Sequence, residues 1–209
     1  METAPLRKIC RYTTVPILID YLIRRQITLL PPASWEDRSD AGICEEYRRR
    51  RSHERLLAVC FTTASETVHH WSSFAAGSAG CCLELSPRIL DIWSTLPGVR
   101  HGPVRYVSLQ APGVSPDSEE DLPFLKRLPY RIESEYRVLS EGPATGLTTA
   151  LPLPNDCLRR ITVTQRMPRP VFESLREVLR PLVAGTRVKI HHSTLLDNPL
   201  WQTRQIPAR

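Results

Sequence analysis

No apolar run in this 209-residue chain approaches the roughly 20 residues a helix needs to cross a bilayer. The N-terminal METAPLRKICRYTTVPILIDYLI does put basic residues before apolar ones. However, Asp20 and Tyr21 interrupt the apolar part and no small-residue cleavage site follows. No signal peptide is predicted, and the cytoplasm is the expected compartment. The six cysteines form no C-x-x-C pair, and a chain of this length buries a core without staples, so reduced thiols are expected. The G-x-G-x-x-G and Walker patterns are absent, which argues against a parallel nucleotide-binding sheet. Without a G-x-S-x-G elbow no serine is exposed for hydrolase chemistry. Internal repeats, heptad arrays and low-complexity tails are also missing.

What remains is an ordinary globular composition, 41% hydrophobic and 24% charged, fitting one domain over residues 1–209. The formal charge is +6 and the bases are mostly arginine, so a nucleic acid or an acidic partner is expected. The densest run, YRRRRSHER at 47–55, fits phosphate contact and a solvated helix end equally well.

KICRYT (8–13) reads as a strand and TTVPILIDYLIRRQ as a helix, capped by Thr13 or Thr14 with Pro16 in its first turn. ITLL (27–30) is a short strand, and SWEDRSDAGICEEYRRRR a loop leading into an exposed helix. LLAVCFTTA (56–64) is the strongest buried-strand signal, followed by GCCLEL (80–85) and a helix over RILDIWSTL. PVRYVSL (103–109) is a strand, and a mobile loop is expected at about 110–121. LPFLKRLPY reads as helical before an IESEYRVL strand. ALPL and RITVT are short strands, PRPVFESLREVLRPLVAG a helix closed by Gly185, and TRVKIHHSTLL a last strand. The predicted class is α+β: one mixed, mostly antiparallel sheet of about eight strands with flanking helices.

Four places carry candidate chemistry. In RIESEYR (131–137), residues two apart in an extended strand share a face, so Glu133, Glu135 and Arg137 would form either a solvated surface or a cleft wall. His69, His70, Trp71, Ser72 and Ser73 form a polar cluster after a buried strand, or simply the start of a helix. A zinc site is not indicated, because side-by-side histidines diverge and no cysteine or glutamate stands at ligand spacing. Trp35, Glu36, Asp37, Arg38, Ser39 and Asp40 pack acids into a turn, where helix capping is the commonest fate and a cation or arginine site the alternative. In KICRYTT, Arg11 and Thr13 face one way and Cys10 and Tyr12 the other. A cysteine nucleophile at Cys60 or Cys82 with His69 or His70 has no local signature, and cysteines buried in strands are mostly inert.

The order RYTT…ITLLPPASWEDRSD, AVCFTTASETVHHWSSFAAGSAGCCLEL and LPFLKRLPYRIESEYRVL resembles a bacterial family of uncharacterised domains. That family has a C-F-[S/T] strand, a W-S-x-[Y/F]-A…G-x-C segment and a late E-x-E-[W/Y]-R strand, and is met near phage-defence and mobile-element genes. The resemblance covers roughly residues 8–200. Its usual F-N-D-P motif is replaced here by Arg38-Ser39-Asp40-Ala41. The layout is in turn similar to the ADP-ribosyltransferase fold, including toxins that act on nucleic acid. This resemblance implies that Arg11, Tyr12 and Thr13 hold the phosphate and ribose of NAD, and that Trp71 and Ser72 line the nicotinamide pocket. Glu135 would be the catalytic glutamate and Glu133 its partner two residues before, with His70, Arg137 and Asp40 binding substrate. NAD would be a substrate, and no metal is expected. Two alternatives stand beside it: a nucleic-acid-binding or nuclease-like module using Asp37, Asp40, Glu133 and Glu135 for a divalent metal, and a non-catalytic interaction domain.

Overall fold

A computed structural model describes residues 5–108, 118–143, 149–198 and 200–201. The strands are β1 (Ile9–Thr14), β2 (Gln26–Leu29), β3 (Arg55–Thr62), β4 (Gly80–Leu85), β5 (Val99–Pro103), β6 (Arg105–Val107), β7 (Leu125–Arg127), β8 (Glu135–Gly142), β9 (Thr149–Pro152), β10 (Leu158–Val163) and β11 (Lys189–His192). The helices are α1 (Val15–Arg24), α2 (Arg38–Arg50), α3 (Val68–Phe74), α4 (Arg88–Ser94) and α5 (Arg169–Leu182).

Seven strands form the main sheet in the order β11-β10-β4-β1-β3-β8-β5, while β2 with β9 and β6 with β7 make two small sheets. In the main sheet only the β10–β11 junction is parallel. The architecture is therefore α+β and mostly antiparallel, with helices on both faces. Eleven strands stand among the described residues where about eight were expected, Val99–Pro103 and Leu125–Arg127 being among those not anticipated. Residues 110–117 of the loop expected at 110–121 lie outside the described residues; Ser118 and the acids after it open a 3-10 helix.

Alternation along the strands sorts the side chains. One sheet face carries Ile9, Leu57, Val59, Phe61, Leu83, Leu85, Val138 and Ile161, packed with α1, α4, α5 and β2 into the main core. Trp93 at its centre is fully buried and lies 5.7 Å from Phe61, ring to ring. Each large apolar side chain buried there contributes about 1.5–3 kcal/mol. The helices follow the same logic. In α1, Leu18, Tyr21 and Leu22 recur at helical spacing, Pro16 occupies the first turn, and Arg25 in the left-handed region ends the helix. The close approach of the α3–β4 turn needs a glycine, since a Cβ on Gly80 would stand 2.1 Å from the Ala75 carbonyl oxygen.

The opposite face is more polar and builds the candidate site. Cys10, Tyr12, Trp71, Ala75 and Cys82 form one small cluster, and Cys44, Tyr47, Leu56, Ala58 and Leu139 another. Between them the sheet is barely joined. β1 and β3 pair only at Cys10↔Thr62, and higher up β3 pairs instead with Leu30, at Ala58. Arg11 closes the gap, its Nη1 donating to the Cys60 carbonyl at 3.0 Å.

Candidate active site

RIESEYR is not a continuous strand. Pro129 sits in the first turn of a 3-10 helix, Leu128–Glu133, and Ser134 adopts φ 43°, ψ 49°, so β8 begins only at Glu135. Glu133 therefore does not share a strand face with Glu135 by alternation, and LPFLKRLPY is two 3-10 segments around β7 instead of a helix. The kink is pinned. The Glu133 carbonyl accepts from the Thr62 hydroxyl at 2.6 Å and from His70 Nε2 at 3.1 Å, and Thr63 N–H donates to the Ser134 carbonyl.

The kink brings the two carboxylates together by another route. Lys126 Nζ lies 2.5 Å from Glu133 Oε2, 3.1 Å from Glu135 Oε2 and 3.7 Å from Asp40 Oδ2. Arg137, fully buried, donates to Glu135 Oε1 at 2.8 Å, to both Asp40 oxygens at 3.1 and 2.9 Å, and to the Pro123 carbonyl. The Trp35 ring lies 4.7 Å from the Arg137 guanidinium carbon. Asp37 caps α2 by accepting from Ser39 and Asp40 N–H groups, which aims Asp40 inward. Three acids and two bases are thus buried as one network, Asp40, Glu133 and Glu135 being at most 5% exposed.

The network pushes the carboxylates apart in acidity. Burial raises Glu133 above the usual carboxylate range even though Lys126 pulls it down. Burial acts on Glu135 too, but Arg137 and Lys126 outweigh it and hold that group below the usual range. Burial also raises Asp40 against the pull of Arg137. Cys60, which hydrogen-bonds Glu135, is driven well above the ordinary thiol value by burial. It is a poor nucleophile at neutral pH.

The aromatic group stands beside this network. The His70 and Tyr12 rings stack at 5.2 Å, and Trp71 meets Tyr12 edge-on at 5.0 Å. His70 is fully buried; a carbonyl can only accept, so Nε2 carries the proton and Nδ1 accepts from the Thr67 hydroxyl at 2.6 Å. Burial lowers its pKa, consistent with a neutral ring. Arg11 and Thr13 lie on the other side of β1 from Tyr12, and Ser72 is on the exposed side of α3. Arg11 still reaches the same locality, because its acceptor and the Glu135-bound thiol both belong to Cys60.

Several participants escaped the sequence reading. Lys126 was hidden in a segment read as helical. Tyr106, whose hydroxyl accepts from Glu135 N–H at 2.7 Å, carries no spacing signal. Glu66 accepts from Trp71 Nε1 at 2.7 Å and from the Ser193 hydroxyl; its place just before the histidines was the one clue. The arginine run is engaged within the fold: Arg48 binds Glu45, Arg49 and Arg50 bind Glu46, and Arg51 binds Glu120. Among the described residues, no three His, Cys, Asp or Glu side chains group so as to hold a metal, and no helix is long and apolar enough to cross a membrane.

No protein-family model and no curated protein matches the chain. Among solved structures it is similar to Thermus sp. 2.9 DarT in complex with ADP-ribosylated ssDNA, at 16% identity, covering 92% of this chain and 97% of that one, TM-score 0.49. It is likewise similar to Thermus sp. 2.9 DarT in complex with NAD+, at 14% identity, covering 91% of this chain and 96% of that one, TM-score 0.47.

Proposed function

We propose that the chain is an NAD-consuming ADP-ribosyltransferase, modifying nucleic acid or a protein in a bacterial defence or toxin setting. The observation that carries this reading is the convergence of Glu133 and Glu135 on one ammonium with their acidities driven in opposite directions. Burying five ionisable groups costs several kcal/mol per ion before pairing, and apolar residues serve packing alone equally well. Paired carboxylates with split acidity are what acid–base and charge-stabilising chemistry requires.

NAD supplies a ribose carbon that turns positive as nicotinamide leaves. Glu135, ionised and fixed by Arg137, stabilises that charge. Glu133, with its raised pKa, takes the acceptor's proton. Tyr12 and Trp71 offer aromatic surface for the nicotinamide ring, and Arg11 exchanges the Cys60 carbonyl for a phosphate oxygen. Asp40, Arg137 and His70, all buried, act here as positioning residues: the first two orient Glu135 and His70 pins the Glu133 backbone. The metal-nuclease alternative is less well supported, since Asp37 caps α2 and the other three acids already face Lys126 or Arg137.

The test is nicotinamide release and thermal shift with NAD on the wild type and Glu135→Gln. At about a hundredfold excess over Kd, NAD stabilises the fold by about 2.7 kcal/mol. Glu135→Gln is expected to remain folded and lose activity at least about a hundredfold, the scale of a lost charge-stabilising group. A Glu135→Gln protein with wild-type turnover, or a wild type that NAD does not stabilise, sinks the assignment.

A further inference from the structure

Lys126 belongs to β7, a three-residue strand. The residue is 8% exposed, and its ammonium lies 4.9 Å from the Tyr130 ring centre as well as against Glu133, Glu135 and Asp40. The strand holding it is fixed on both sides. Its three residues pair in parallel with β6, Leu125 is buried, and Arg127 is tied to Asp37 at 3.4 Å and to the Tyr130 hydroxyl at 3.1 Å. The ammonium is thus a placed charge on an anchored strand.

Its geometry does something that no other cation of the network does. Glu133 and Glu135 leave the backbone on opposite sides of the Ser134 kink, so backbone direction alone does not make them face one point. Arg137 reaches only Glu135 of the two, with its other donors committed to Asp40 and Pro123. Lys126 touches both. We propose that Lys126 is a further positioning residue of this site, the shared counter-cation that turns Glu133 and Glu135 toward a common point. The proposal rests on the ADP-ribosyltransferase reading for the reaction it serves. It also explains the charge count, since Arg137 serves Asp40 and Glu135 and only Lys126 of the two network cations reaches Glu133. As positive charge grows on the ribose, Glu135 meets it as a third cation without having to rotate, because Arg137 and Lys126 have already set its orientation.

The experiment titrates the glutamate side-chain carboxyls by carbon-13 NMR in the absence of NAD, with Glu133→Gln and Glu135→Gln for assignment. Lys126→Met is expected to raise the Glu135 titration by at least about one pH unit, the scale of losing an adjacent opposite charge. Lys126→Arg, which keeps the charge, is expected to hold it low. In the enzyme assay, the acid limb of kcat/KM against pH should move upward with Lys126→Met, and Lys126→Arg should restore most of the shift. Unchanged carboxyl titrations in a folded Lys126→Met protein overturn the proposal. Should that variant not fold, nitrogen-15 NMR of Lys126 in Glu133→Gln reads the same coupling from the other end: a lowered lysine titration supports the proposal and an unchanged one overturns it. The NMR measurements need no turnover. Coupled titrations in a chain that releases no nicotinamide would discard the reaction and retain Lys126 as the residue that holds the pair.

Discussion

Arg137→Met isolates a fully buried pairing. The guanidinium is fully buried and donates to Glu135, to both oxygens of Asp40 and to the Pro123 carbonyl. Methionine keeps much of the volume but leaves Asp40 with only Lys126, at 3.7 Å, among the cations that reach it. Removing one partner of a buried ion pair typically costs about 3–5 kcal/mol, because the other charge stays buried and uncompensated. For a chain of this size each kcal/mol moves Tm by about 2–4 °C, so a fall of about 6–20 °C is expected. Urea unfolding measures the loss directly, and an unchanged slope with denaturant would show that the change lies in stability and not in compactness. The double variant Asp40→Leu with Arg137→Met removes both charges at once. It is expected to be more stable than Arg137→Met alone, with a coupling energy of about 1–3 kcal/mol in the double-mutant cycle. Strict additivity of the two substitutions would refute the picture of one interdependent network.

Two further expectations are simpler. His70 is held below its ordinary pKa, so the unfolded chain binds more protons just below pH 6.5; stability from this residue is complete above that pH and is lost as pH falls. His70→Gln should flatten the stability curve between pH 7 and 5, by up to about 1.4 kcal/mol per pH unit relative to wild type, and parallel curves would contradict a neutral buried ring. By contrast, Arg49→Gln and Arg50→Gln break only exposed pairs, with Glu46 and, for Arg50, also with Glu119. Differential scanning calorimetry should find Tm unchanged within error, because solvent screens such pairs; a large fall would assign the run a structural role.

The elements that were legible are those whose signals are local. The apolar continuity of LLAVCFTTA and GCCLEL marks β3 and β4, and threonine followed by Pro16 marks the start of α1. The meeting of Glu133, Glu135, Arg137 and Asp40 was only half legible. Arg137 does share a face with Glu135, as strand alternation requires, but Asp40 arrives across 97 residues of sequence. Glu133 joins through a left-handed Ser134, a conformation that a serine side chain does not announce. Lys126 was illegible for the same reason: its partners are chosen by where β7 docks, and nothing in L-K-R encodes that docking. The arginine run shows the converse. Its charge density was obvious, yet glutamates three and four residues away on the same helix absorb most of it.

The junction between β1 and β3 has one more consequence. Elsewhere in the central sheet the crosslinks are peptide groups, and none can be released without peeling a strand. Here one rung is a guanidinium, on Arg11, clasping the Cys60 carbonyl. A side chain rotates about its own bonds, so this rung can be undone and remade while every strand stays in place. Under the proposed reading, a phosphate could take that arginine without the fold having to loosen.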